Sequence, residues 1–161
     1  MNLVIANRQR SKKINTMLLK KITSALLADL KINQAELGIN LVGAREITLV
    51  NETFLGHEGS TDVITFGYEN SELRIPNSEL QLHGELFVCV DVAVAQAKEF
   101  KTNWQLEIVR YVVHGVLHLL GHDDLQPALR RKMKREENRL VRLLARRFAL
   151  AQLARPAKIG A

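Results

Sequence analysis

The strongest constraint in this 161-residue sequence is a pair of histidines, His114 and His118, four residues apart inside a long apolar run. In an α-helix, residues at this spacing lie one turn apart on the same face, so the two imidazole rings are predicted to lie side by side. Gly121 predicts the end of the helix, because glycine adopts the left-handed C′ conformation at little cost. We therefore expect the chain to turn back here and to bring polar side chains beside the rings.

Three candidates for a further metal ligand follow this turn, namely His122, Asp123 and Asp124. Two imidazoles with a carboxylate or a third imidazole are typical of an open, three-ligand zinc site. Histidine pairs at this spacing also arise by chance in many helices. Here the flanking residues are apolar, which indicates rings held at the rim of a core, and three of the five histidines fall within nine residues. The pattern predicts a catalytic metal centre.

The distribution of charge suggests an anionic polymer as the partner. The net charge is +6 for residues 1–21, −9 for residues 22–129 and +9 for residues 130–161, which gives +6 for the chain. Basic ends around an acidic middle favour association with a polyanion such as nucleic acid. On charge alone, an equally good interpretation is that the basic residues only cover solvated helix faces.

Length and composition are consistent with one soluble domain, which we place at residues 1–155 with a frayed tail at 156–161. A single cysteine, Cys89, excludes an internal disulfide and a cysteine-based zinc site. No signal peptide is apparent, and the longest nearly apolar run is interrupted by Arg110 and is too short to span a bilayer. We expect a cytoplasmic protein without a membrane partner.

Hydrophobic patterns and β-branched residues predict four strands and one helix between residues 2 and 90. Residues 2–6 are predicted to form a strand, followed by a helix that Ser11 caps and that runs to Leu30. Residues 39–50 are predicted to form one strand with a turn or bulge at Gly43. Further strands are predicted at 61–66 and, in the interior of the sheet, at 86–90, with a loop or ragged hairpin at 67–82 between them.

Three helices are predicted in the second half. Asp91 is expected to cap a helix over 92–100, and Thr102 with Gln105 forms a capping-box pattern that opens the buried helix carrying the histidines. Pro127 suits the first turn of a last helix that runs to about Leu150 and has a basic outer face.

The run from His114 to Asp124, H-G-V-L-H-L-L-G-H-D-D, resembles the H-G-x-L-H-L-x-G-Y-D-H signature of the YbeY-type rRNA maturation endoribonucleases. Residues 61–66, T-D-V-I-T-F, are similar to the family's T-D-V-L-S-F strand, and residues 84–89, G-E-L-F-V-C, to its G-D-I-x-I-C strand. The resemblance covers roughly residues 45–125. It implies an α/β (α+β) domain in which four or five helices pack on a small mixed four-stranded sheet, with the metal site at the C-terminal end of a buried central helix.

The resemblance also implies a function. Proteins of this family are zinc-dependent, single-strand-specific endoribonucleases that trim the 3′ end of small-subunit (16S) rRNA and take part in ribosome quality control. The expected cofactor is one Zn²⁺ ion, and the expected partners are single-stranded RNA, small-subunit rRNA and the ribosome, but not DNA.

Carried over residue by residue, His114 and His118 match the first two metal ligands of the family. The third family ligand is a histidine, and its position here is Asp124. Because a carboxylate oxygen coordinates zinc at about the distance of an imidazole nitrogen, we expect Asp124 to serve. His122 stands where the family has tyrosine, and it is the rival as a ligand or as a catalytic base.

A second departure lies upstream. The family carries Tyr-Arg before the T-D-V strand, and this chain has Phe54-Leu55. A guanidinium is suited to binding a phosphate, so His57 or an arginine from elsewhere is expected to replace it. This departure motivates one alternative, a non-catalytic RNA- or ribosome-binding metalloprotein of the same fold. Another alternative is a zincin-like metallopeptidase, which needs a glutamate where this chain has Gly115.

Overall fold

The computed structural model describes residues 1–68 and 80–155, in which one mixed sheet carries the helices. The strands of the sheet are β1 (Asn2–Asn7), β2 (Ile32–Val42), β3 (Val63–Gly67) and β4 (Leu80–Cys89). Their spatial order is β1-β2-β4-β3, with β2 parallel to both β1 and β4, and β3 antiparallel to β4. The predicted mixed four-stranded sheet is confirmed, and β4 lies in its interior as expected.

Five α-helices accompany the sheet in the described residues. They are α1 (Thr16–Asp29), α2 (Ala44–Leu55), α3 (Val90–Phe100), α4 (Trp104–Leu119) and α5 (Pro127–Arg147), and a single 3₁₀ turn follows at Leu150–Leu153. The predicted α/β fold class is therefore confirmed. None of these helices combines the length and the hydrophobicity needed to cross a lipid bilayer.

The main core lies between the sheet and helices α1, α4 and α5. Leu86 of β4 and Ile39 of β2 are completely buried there, and so are Val113 and Leu117 of α4. Because α4 is covered on nearly every side, its histidines are carried on one of the most constrained elements of the molecule. This matches the prediction that the histidine-bearing helix is a buried, central one.

Residues 39–50 do not form the single strand that the sequence predicted. The strand begins earlier, at Ile32, and ends at Val42, and the segment after Gly43 is helix α2. Gly43 is the N-cap residue of that helix rather than a bulge. The Asp91 carboxylate accepts a hydrogen bond from the Ala44 N–H at 2.7 Å, which satisfies one backbone donor of the first turn.

Three predicted helix caps were also wrong. Helix α1 is capped by Asn15, whose side chain accepts from the Leu18 N–H, whereas the Ser11 hydroxyl hydrogen-bonds to Asp91. Helix α4 is likewise capped by Asn103 rather than by Thr102. Asp91 lies inside the first turn of α3 rather than before it. Residues 69–79 of the predicted loop and the tail at 156–161 lie outside the described residues.

Candidate metal centre

The C-terminal end of α4 is closed by a Schellman motif. Gly121 has φ +98°, its N–H donates to the His118 carbonyl at 3.0 Å, and the His122 N–H donates to the Leu117 carbonyl at 3.0 Å. The predicted glycine stop is thus confirmed. Its consequence is that the chain reverses directly beneath the two histidine rings.

After this reversal, Asp124 lies beside both rings. The Nε2 atoms of His114 and His118 are 3.1 Å apart, and Asp124 Oδ2 lies 3.6 Å from His118 Nε2 and 4.0 Å from His114 Nε2. One ligand atom from each of these three residues falls within 4.8 Å of the other two. All three side chains are partly exposed, at 29%, 26% and 40% for His114, His118 and Asp124, so solvent reaches the site.

The ring of His114 is held by Glu137, a residue of α5. His114 Nδ1 donates to Glu137 Oε1 at 2.8 Å, and the other oxygen of that carboxylate accepts from Arg110 Nη1 at 2.7 Å and from Lys134 Nζ at 3.0 Å. Burial by itself raises the pKa of Glu137, but these three donors outweigh burial and lower it to about 2. The carboxylate is therefore ionised and can only accept, which fixes the proton of His114 on Nδ1.

The ring of His118 is held in the same sense by the turn itself. Its Nδ1 lies 3.1 Å from the His122 carbonyl oxygen, which can only accept, so this ring also carries its proton on Nδ1. In its neutral form each ring therefore presents a lone pair on Nε2, and the two lone pairs converge together with a carboxylate oxygen. Three acceptors at such short range repel one another unless a cation lies between them.

The donor set fits zinc. Ligands at about 2.0–2.2 Å in tetrahedral positions lie about 3.3–3.6 Å from one another, and the three separations here are 3.1, 3.6 and 4.0 Å. Two imidazoles and one carboxylate leave a fourth position open, which is typical of a catalytic rather than a structural zinc site. In the metal-free chain, burial lowers the pKa of His114, but the hydrogen bond and charge of Glu137 leave it above its ordinary value.

A cavity of about 380 Å³ adjoins the candidate metal centre on the side of His114 and Glu137. Its further lining residues are Asp62, Gln96, Phe100, Glu107, Arg110, Tyr111 and Lys134. The Tyr111 hydroxyl donates to Gln96 Oε1 at 2.7 Å, and burial raises the pKa of this phenol, so it stays protonated. The cavity thus places an aromatic surface next to the ligands, together with two cationic and three acidic side chains.

The other predicted site residues are placed as follows. The His122 carbonyl holds the His118 ring, while the His122 imidazole is not part of the ligand triangle. The Asp123 carboxylate accepts from the Leu125 N–H at 2.8 Å and so shapes the turn. His57 lines a separate groove with Glu52 and Gly56, and the centre's ligands are not part of it.

Gly115, the position where zincins carry their catalytic glutamate, faces the sheet rather than the candidate metal centre. A Cβ at this position would lie 2.7 Å from Leu86 Cδ2, and Leu86 is completely buried. There is therefore no room for a carboxylate here, and the peptidase alternative loses its general base.

Glu137 and Arg110 are the residues that sequence reasoning missed. Glu137 lies four residues after the buried Met133 and is only 3% exposed, so it occupies the apolar stripe of α5. A lone acid on such a stripe indicates a buried polar partner. Arg110 precedes His114 by one helical turn and thus shares its face, but it appeared in the sequence only as an interruption of an apolar run.

Fold and site together define an α/β protein whose buried helix ends at a candidate metal centre of two histidines and one carboxylate. The family model described as "Endoribonuclease YbeY" matches residues 4–145. The chain therefore belongs to the endoribonuclease YbeY family, whose members are hydrolases that cleave phosphodiester bonds in RNA.

Individual relatives agree with this assignment. The chain is 33% identical to endoribonuclease YbeY of Chlorobium phaeovibrioides over 126 residues, which cover 78% of this chain and 80% of that protein. It is 30% identical to endoribonuclease YbeY of Chlorobium luteolum over 146 residues, covering 91% and 100%. The solution structure of TM1509 from Thermotoga maritima superposes with a TM-score of 0.65 over 100% of this chain and 99% of that one, at 22% identity, which supports the fold.

Proposed function

We propose that this chain is a zinc-dependent endoribonuclease that cuts single-stranded RNA, matures the 3′ end of small-subunit (16S) rRNA and takes part in ribosome quality control in the cytoplasm. Membership of the YbeY family supports the reaction class. The observation that carries the proposal is the convergence of two imidazole lone pairs and a carboxylate oxygen at one solvent-accessible point.

The metal ligands in this proposal are His114, His118 and Asp124. A zinc ion supplies Lewis-acid chemistry, because it lowers the pKa of a water molecule towards about 7 and polarises a phosphoryl oxygen. The part of Glu137 is to keep the Nδ1 proton on His114, so that its Nε2 lone pair stays available. Lys134, whose side chain is 61% exposed, offers positive charge to the phosphate backbone at the rim of the adjoining cavity.

The same cavity supports the proposed preference for single strands. A volume of about 380 Å³ beside His114, with Tyr111 and Phe100 in its lining, can accept one unstacked base or ribose. A base in a duplex cannot enter without being unpaired, which costs a few kcal/mol. His122, two residues before the proposed ligand Asp124, remains our candidate for a residue that transfers a proton during cleavage.

The test uses end-labelled RNA of one sequence, offered as a single strand and as a duplex. We expect the purified chain to cut the single strand, cutting to stop with a chelator and to return with zinc, and His114→Ala to abolish both zinc content and cleavage. Lys98→Ala, a change on the exposed face of α3, is the matched control. Binding without cleavage at any zinc concentration would instead support the non-catalytic RNA-binding alternative.

A further inference from the structure

The outward face of α5 carries one arginine on each helical turn. The residues, which we name the arginine row, are Arg131, Arg135, Arg139, Arg142 and Arg146. All five are exposed, and they lie on the side of the helix opposite its buried residues. At 1.5 Å per residue the row is about 22 Å long, and successive arginine positions lie about 4.5 or 6 Å apart along the helix axis.

Most of this charge has no counterpart in the part of the chain that the structure describes. Arg139 is the exception, because it pairs with Glu136 at 2.7 Å and with Asp29 at 3.4 Å. For the other four arginines of the row, no ion pair with a described residue is present. The remaining acid of α5, Glu137, is buried and binds His114, Arg110 and Lys134 on the other side of the helix.

Such an arrangement is unfavourable for an isolated helix. Like charges at i,i+4 destabilise a helix by a few tenths of a kcal/mol per pair, whereas interleaved acids stabilise it. A face that needed only solubility would do better with mixed charges. The four arginines that have no ion pair with a described residue are therefore better explained by an anionic ligand that carries repeated charges.

The row is connected to the candidate metal centre by two further basic residues. Arg130 Nε donates to the Asp124 carbonyl at 3.0 Å, and Lys134 Nζ reaches Glu137 at 3.0 Å. Both residues lie in the N-terminal part of α5, between Asp124 and the arginine row. Positive charge thus continues from the centre around the first turns of α5 and along its outer face.

We propose that the arginine row binds the sugar–phosphate backbone of an RNA strand outside the scissile region, as an exosite for long substrates. The proposal rests on the proposed function, since it takes RNA as the substrate of the neighbouring centre. A guanidinium forms paired hydrogen bonds with a phosphate, and such contacts position a strand without reading its sequence. Because the row faces away from the centre, only a strand long enough to pass around α5 reaches both.

The test compares three variants of the whole chain. The row variant changes Arg131, Arg135, Arg142 and Arg146 to Gln, and a charge-preserving variant changes the same four residues to Lys. The matched control removes four exposed charges from other elements by changing Arg10, Lys21, Arg45 and Lys98 to Gln. Fluorescent single-stranded RNAs of about 20 and about 4 nucleotides are titrated with chelator present, over a range of salt.

We expect the row variant to bind the long RNA at least about tenfold more weakly at low salt. The salt slope, which is the steepness with which the logarithm of the binding constant falls with the logarithm of the salt concentration, should decrease by about 0.7 for each phosphate that the protein no longer neutralises. The short RNA and the control variant should show little change. The Lys variant should keep the salt dependence of the native chain but bind the long RNA more weakly, because an ammonium group keeps the charge without the paired hydrogen bonds. Undiminished affinity and slope in the row variant, or an equal reduction in the control, overturn the proposal. The proposal is also overturned if the row variant loses binding to phosphatidylserine vesicles but still binds RNA as the native chain does. That result would assign the row to a lipid surface.

The two proposals fail in different ways. If the chain binds long RNA through the row but cuts none, the nuclease function fails and the row stands. If chelator-sensitive cleavage of long RNA keeps its KM in the row variant, the row fails and the nuclease stands. Thermal melting guards against misfolding, and the row variant should melt no lower than the native chain because like-charge repulsion has been removed.

Discussion

The most informative contact at the residue scale is the 3.1 Å approach of the two Nε2 atoms of His114 and His118. Both rings have their Nδ1 protons directed elsewhere, one to Glu137 and the other to the His122 carbonyl. Without those two acceptors either ring could turn or change its tautomer, and the lone pairs would no longer converge. The site is therefore organised by acceptors that are not ligands themselves.

Glu137→Gln tests this organisation. The amide has nearly the same shape, but it lacks the charge that Arg110, Lys134 and His114 share, and its NH₂ group would oppose one of these donors. Loss of such a supporting group typically lowers metal affinity by 10- to 100-fold. We expect a loss of about this size for zinc, measured by competition with a chelating dye.

The matched control is Glu136→Gln, one residue earlier, where the carboxylate pairs with Arg139 instead. It removes the same charge from the same helix and should leave zinc affinity within about twofold of the native value. Equal effects of the two substitutions would mean that general charge, and not the contact with His114, is responsible.

At the scale of the secondary-structure element, helix α4 could be predicted from the sequence, whereas helix α2 could not. The run around His114 is apolar enough to require burial, and Gly121 marks its end by a backbone conformation that favours glycine. In α2, by contrast, the buried residues are only Ile47 and Asn51, and β-branched residues such as Thr48 and Val50 imitate a strand. Local preference was overridden there by packing against the sheet.

The contact of α4 with the sheet predicts the effect of Gly115→Ala. The added Cβ would lie 2.7 Å and 3.1 Å from the two methyl carbons of Leu86, which is fully buried and cannot swing into solvent. Overpacking of this kind typically costs about 1–3 kcal/mol. We expect a fall in melting temperature of about 2–4 °C for each kcal/mol, measured by circular dichroism.

The double variant Gly115→Ala with Leu86→Ala provides the control for this clash. Removing the Leu86 methyl groups takes away the atoms that the new Cβ meets, so the two changes should destabilise less together than the sum of their separate effects. Simple additivity would contradict a direct contact between these positions.

At the scale of the whole molecule, the path of the chain and the packing of the helices determine which residues complete the site. These residues could not be predicted fully from the sequence. The sequence pattern predicted His114 and His118 as neighbours, but it left Asp124 and His122 open as third ligand. The path of the chain after Gly121 brings the Asp124 carboxylate to the rings and uses only the backbone of His122 there. Glu137 was not predicted, because its partner His114 lies 23 residues away and on another helix.

Because the candidate ligands come from α4 and from the segment that leads into α5, metal binding should stabilise the whole fold. A ligand at 100 times its Kd adds about 2.7 kcal/mol to the free energy of unfolding, which for a chain of this size corresponds to about 5–11 °C in melting temperature. We expect zinc to raise the melting temperature by this amount in scanning calorimetry and a chelator to reverse it.

His118→Ala should lose the zinc-dependent increase but keep a similar metal-free melting temperature, since its side chain is already 26% exposed. The matched control, His83→Ala on β4 with a side chain that is 48% exposed, should respond to zinc as the native chain does. An increase of the same size in His118→Ala would mean that zinc stabilises the fold from another site.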